Sequence, residues 1–88
     1  MFKSEFLPYA FGMRIEPADA WLEKLGNRVR SLREERGLRQ EDFEDGTALS
    51  VTARALQEIE YGNANARVYT LYKIASRLGV KVKDLIDV

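Results

Sequence analysis

Neither cysteine nor histidine occurs among the 88 residues. The first absence excludes a disulfide framework, a cysteine-type zinc site and a thiol nucleophile. The second removes the side chain that most often serves as general base and as transition-metal ligand. Together they argue against an enzyme, and no cofactor is expected. Long apolar runs are missing as well, since no segment approaches the ~18 residues of a membrane span. The opening MFKSEF mixes acid and base and has no apolar core, so it does not read as a secretion signal. The expected location is cytoplasmic, with no membrane partner.

Net charge is also lacking, because 14 basic residues meet 14 acidic ones. A nucleic-acid binder often carries a basic excess. The charge is segregated, however. Lys24 to Arg39 is predominantly basic, whereas Gln40 to Glu60 holds six acidic residues and one basic, Arg54. A local basic face therefore remains available.

What is present reads as one small, mostly helical domain. Residues 1–16 stand apart as an arm. Tyr9, Phe11, Met13 and Ile15 alternate with Ala10, Gly12 and Arg14 between Pro8 and Pro17, the period of a short strand. Such a strand would pair with the same segment of a second chain across a dimer axis. An apolar arm packed over the helices, or a disordered one, fits the same residues.

Residues 17–88 form the expected domain. Pro17 suits the first turn of a helix that runs to about Arg36, with Leu22, Leu25, Val29 and Leu32 inward and Gly37 as its stop. Trp21 is expected at the core edge. A short second helix begins near Arg39 or Gln40, is anchored by Phe43 and ends at Gly46. A third occupies roughly Thr52 to Glu60, with Leu56 and Ile59 on its buried stripe and Gly62 past its end. Ser50 and Thr52 both qualify as its N-cap, and Thr52 is favoured. Val68 to Leu78 is a fourth helix with Val68, Leu71, Ile74, Ala75 and Leu78 inward, stopped by Gly79. A fifth, around Lys83 to Asp87, returns Leu85 and Ile86 to the core.

Three of these pieces, in order, carry a resemblance: Arg-Gly-Leu-Arg-Gln-Glu at 36–41, Ile59-Glu60-Tyr61-Gly62, and Thr70 to Ala75 leading into Leu78-Gly79-Val80. From Leu22 to Ile86 the chain resembles the helix-turn-helix domain of the Cro and lambda-repressor class, the xenobiotic-response-element type of bacterial regulator. The resemblance implies an all-α, five-helix lambda-repressor-like fold with the third helix in the major groove and the second across the backbone. It implies phosphate contact by Arg39 and Gln40 at the start of the second helix. It places Thr52, Ala53, Arg54, Gln57 and Glu58 on groove-facing positions, and Asn63, Asn65 and Arg67 in a loop that meets the backbone. Arg54 is the strongest reader, because a guanidinium can grip O6 and N7 of guanine together; Gln57 could do the equivalent for adenine. Arg33 and Glu60 stand where relatives make a structural ion pair. This chain departs from the family between Gln40 and Glu60, where it is two residues longer, with Glu44 in place of a small residue and the turn glycine displaced to Gly46. A shortened second helix and an enlarged turn are expected.

Blander readings stand beside these. Glu41, Asp42, Glu44 and Asp45 resemble a metal-binding cluster, but nothing supplies partner ligands, and a solvated face is expected. Tyr61, Tyr69 and Tyr72 are expected at core edges and interfaces. The arginines of the first helix are expected to be solvated or paired. The functional expectation is a sequence-specific regulator, a repressor binding double-stranded DNA at an inverted repeat as a homodimer, with either the arm (Tyr9, Phe11, Met13, Ile15) or the C-terminal helices as the dimer contact. The alternatives are an antitoxin-type regulator holding a toxin, or a protein-interaction module that has lost DNA binding.

Overall fold

The computed structural model describes residues 18–88. They form four α-helices, α1 (Ala18–Glu35), α2 (Ala53–Glu60), α3 (Val68–Leu78) and α4 (Val82–Ile86). A single 3₁₀ turn, Gln40–Phe43, lies between α1 and α2. No strand occurs among the described residues, and the expected arm strand lies outside them.

The α-helices thus number four rather than five, because the expected second helix is only the single turn. The reason lies just past Phe43. Asp45 and Gly46 are poor at extending a helix, and Glu44, a good helix former, is drawn away by a partner across the loop. The Glu44 carboxylate accepts from the Ala53 amide at 3.0 Å. The Asp45 carboxylate accepts from the amide and hydroxyl of Thr47 at 3.0 and 2.8 Å. Gly46, expected to end the helix, sits instead at φ 76 inside the loop.

The core is one cluster. Leu25, Val29 and Leu32 of α1 meet Leu56 and Ile59 of α2, Leu71, Ile74, Ala75 and Leu78 of α3, and Leu85 of α4. Phe43 and Val51 close it from either end of the enlarged loop, where the Val51 amide donates to the Phe43 carbonyl at 2.8 Å. Trp21 and Leu22 pack half-buried against the cluster. Two inward assignments are corrected. Val68 is 75% exposed and Ile86 39%. Val68 opens α3 a turn before its buried stripe begins, and Ile86 closes a helix of five residues in which Leu85 alone is buried. Both border a shallow apolar groove shared with Trp21, Leu22, Leu25 and Leu71.

Two glycines end helices as their positions require. Gly37 at φ 66 lets the Leu38 amide reach back to the Arg33 carbonyl, and Gly79 at φ 74 lets Val80 reach Ala75. Gly26 has a different role. A Cβ there would stand 2.4 Å from the Ile59 carbonyl oxygen and 2.6 Å from that of Glu60. The missing side chain is what lets the C-terminal end of α2 lie directly on α1.

Candidate nucleic-acid interface

Helix α2 is short, and its position is fixed at both ends. At its start, Thr52 is the N-cap in extended conformation, and its hydroxyl accepts from the Ala55 amide at 3.0 Å. Glu44 satisfies the Ala53 amide next to it. At its other end, the Glu60 carboxylate is fully buried. The Arg33 guanidinium grips it with two parallel bonds, Nε to Oε2 at 2.7 Å and Nη2 to Oε1 at 3.0 Å. A third Arg33 bond reaches the Leu38 carbonyl at 2.9 Å. The Gln40 amide donates to Glu60 Oε1 at 3.1 Å, and Arg30 stands 3.8 Å from the same oxygen. The hydrogen bond to Glu60 holds the Arg33 pKa above its ordinary value, against the opposing effect of burial. This cluster ties α1, the single turn and α2 into one rigid corner.

With Leu56, Ile59 and Glu60 buried, the opposite face of α2 is left to solvent. The Arg54 side chain is 83% exposed, and Glu58 stands one turn further along, 3.8 Å from it. Gln57 and Ala53 flank this face half-buried. Tyr61, just past the helix, is 55% exposed with the Arg30 guanidinium 5.9 Å above its ring. The loop that follows exposes Asn63, Asn65 and Arg67, and Arg67 is the residue immediately before α3.

The other candidates carry bonds within the chain. Arg39 is exposed, but its amide and guanidinium both donate to Asp42, at 2.7 and 3.2 Å. Those two bonds, the amide first, hold the Asp42 carboxyl below the usual carboxylate range. Gln40 is half-buried and turned toward Glu60. Thr52 acts as a cap. In the acidic run Glu41, Glu44 and Asp45 are exposed, and part of the run is also held from α3. Arg77 of α3 binds the Asp45 carboxylate and, at 2.6 Å, the Asp42 carbonyl. The Thr47 bonds and Arg77 hold the Asp45 carboxyl low as well.

One packing feature has only a weak signal in the sequence. Gly26 lies inside the first helix, and a glycine within a helical pattern signals close approach, here by the end of α2. Tyr61, Tyr69 and Tyr72, expected at core edges and interfaces, are each half or more exposed. Among the described residues, no helix is long and apolar enough to cross a membrane.

Comparison with known proteins agrees with this architecture. The chain is 41% identical over 64 residues to the HTH-type transcriptional regulator DdrOP3 of Deinococcus deserti, a match covering 73% of this chain and 48% of that protein. The chain thus spans about half the length of that relative. It is 37% identical over 62 residues to y4dJ of Sinorhizobium fredii, named as an uncharacterized HTH-type transcriptional regulator, with 70% and 78% of the two chains covered. A family described as helix-turn-helix matches residues 29–85, which run from the middle of α1 through α4. On that match the chain belongs to the helix-turn-helix family.

Proposed function

We propose that this chain is a sequence-specific DNA-binding transcription regulator that places α2 in the major groove. The observation that carries the reading is the division of α2 into two faces. One is locked by Leu56, Ile59 and the buried Arg33–Glu60 pair, and the other offers Arg54 with Gln57 and Glu58 beside it. A reader helix needs that combination, because base recognition depends on side chains held in register by a fixed backbone. Arg54 is the principal base contact, toward guanine, with Gln57 second. Asn63, Asn65 and Arg67 meet the backbone, with Arg39 and Gln40 contributing where they can be drawn from their internal partners. The names of the two relatives support a regulator. The further detail of the reading is a repressor acting as a homodimer on an inverted repeat, residues 1–16 serving as a dimerising arm and 17–88 as the DNA-binding domain.

Genomic-fragment selection on the purified protein, wild type against Arg54→Ala, tests this. The expected outcome is a palindromic site whose discrimination at one G·C position falls by ~1–3 kcal/mol in the variant. Recovery of no preferred sequence at low salt would sink the reading. A second reading, a module that binds protein and not DNA, has one observation in its favour: Arg39 and Gln40 are engaged internally. It predicts no counterion release, and therefore no salt-dependent affinity for any duplex.

A further inference from the structure

From Tyr61 to Lys83 the chain contains no acidic residue, and it contains five basic ones, Arg67, Lys73, Arg77, Lys81 and Lys83. Arg77 is engaged with Asp45 and the Asp42 carbonyl, but the rest of this stretch presents only neutral or positive groups. On it stand two tyrosines one turn apart on α3. Tyr69 is 58% exposed and Tyr72 50%. Their rings stack at 5.9 Å with 13° between planes. The Lys73 ammonium lies 5.1 Å from the centroid of the Tyr69 ring and donates to the Ser50 carbonyl at 3.4 Å.

That last bond locates the cluster. Ser50 lies two residues before Thr52, the cap of α2, so Tyr69 and Lys73 border the end of α2 that leads into the proposed groove contact. A helix about 10 Å across fills most of a major groove about 12 Å wide. Side chains that flank its inserted end therefore lie against the phosphates along the groove edge. An ammonium has three donors, of which Lys73 uses one on Ser50, and the Tyr69 hydroxyl is a further donor on a ring held in place by Tyr72. In the loop that leads to Ser50, the Glu44 carboxylate accepts from the Ala53 amide, and Asp45 accepts from Thr47 and is paired with Arg77.

We propose that Tyr69 and Lys73 form a phosphate clamp on α3, gripping the DNA backbone beside the N-terminal end of α2. The proposal rests on the DNA-reading function above. It offsets the chain's zero net charge, because affinity would come from a surface cleared of acid and not from the charge sum.

The test measures binding of the full chain by fluorescence anisotropy, to the selected site and to a random-sequence duplex of equal length. Salt is varied from about 50 to about 200 mM, and the slope of log affinity on log salt is the readout. Lys73→Gln should make the slope shallower by about 0.9 for each bound subunit and weaken both duplexes alike. Lys73→Arg should retain the slope. Tyr69→Phe keeps the stacked ring and loses an uncharged donor, so affinity should fall about two- to tenfold with the slope unchanged. A Lys73→Gln variant that only perturbed the fold would lower the active fraction and leave the slope as in wild type. An unchanged slope, with wild type still selective through Arg54, overturns the clamp alone. If Lys73→Gln or Tyr69→Phe changes the oligomeric state and leaves the slope untouched, the face is an interface between copies and the clamp is likewise overturned. A wild-type protein that binds neither duplex overturns the clamp and the DNA reading together.

Discussion

At Gly26 two effects oppose each other. Alanine is the better helix former by ~1 kcal/mol, so Gly26→Ala would stabilise α1 in isolation. In the folded chain its methyl would stand 2.4 Å from one backbone oxygen and 2.6 Å from another, and neither can rotate away. Forced overpacking costs ~1–3 kcal/mol, and approaches this short to fixed backbone belong in the upper half of that range, so the variant should be less stable by a net ~1–2 kcal/mol, read as a lower urea midpoint. A raised midpoint would mean that α1 and α2 separate freely, contrary to the close packing described. The Glu60 carboxylate is governed by a different balance. Arg33→Met would leave it buried with Gln40 and a distant Arg30, and losing one partner of such a pair costs ~3–5 kcal/mol. Adding Glu60→Leu should recover most of that loss, because the second change removes the stranded charge. If the double variant proves as unstable as the sum of the single ones, the two residues do not act as a pair. The Arg33–Glu60 contact spans 27 positions, and no local periodicity in the sequence points to it.

The elements were legible to different degrees. Helix α3 reads directly from its apolar spacing and its glycine stop, and the structure gives the same bounds, Val68–Leu78. Thr52 and Ser50 were competing caps by residue type alone, and the bond to the Ala55 amide selects Thr52. The stretch after Phe43 was harder to read. Its lengthening was visible as two extra residues, but its conformation depends on contacts with Arg77, 32 positions away from Asp45. Val51 shares its loop with Ala48 and Leu49, and no helical or strand period distinguishes them, yet Val51 is 5% exposed and belongs to the core while Leu49 is 38% exposed. The loop also has a pH signature. The Asp45 carboxyl is held low by the amide and hydroxyl of Thr47 and by Arg77, so its contribution is complete above the ordinary carboxylate value. It is lost only as pH falls through the depressed folded value. The Thr47 amide proton, followed by NMR during acidification, should shift with a midpoint below ~3.9, and Asp45→Asn should abolish that step. A midpoint at or above the ordinary value would show that the Asp45–Thr47 turn does not form.

At the scale of the whole molecule, the open matter is how one small reader obtains enough affinity. Each α2 presents eight residues, and only its exposed face can reach bases. Two copies on an inverted repeat would gain from linkage, which adds on the order of 10²–10⁴ in affinity without any new contact to DNA. The proposed link is the arm. Tyr9, Phe11, Met13 and Ile15 share one parity, so a strand there would put all four on one side. A charge on that side should break the pairing, and a polar change on the other side should not. Phe11→Glu in the full chain should therefore sediment as a monomer, while Ala10→Ser should remain dimeric. On DNA, Phe11→Glu should bind the full palindrome no better than a single half-site, a loss of about 10² or more relative to wild type. If Phe11→Glu stays dimeric and keeps the palindrome preference, the two copies meet elsewhere. The apolar groove bordered by Trp21, Val68 and Ile86 is then the surface to test, with Val68→Glu as the substitution, because Val68 is 75% exposed and a charge there leaves the core intact.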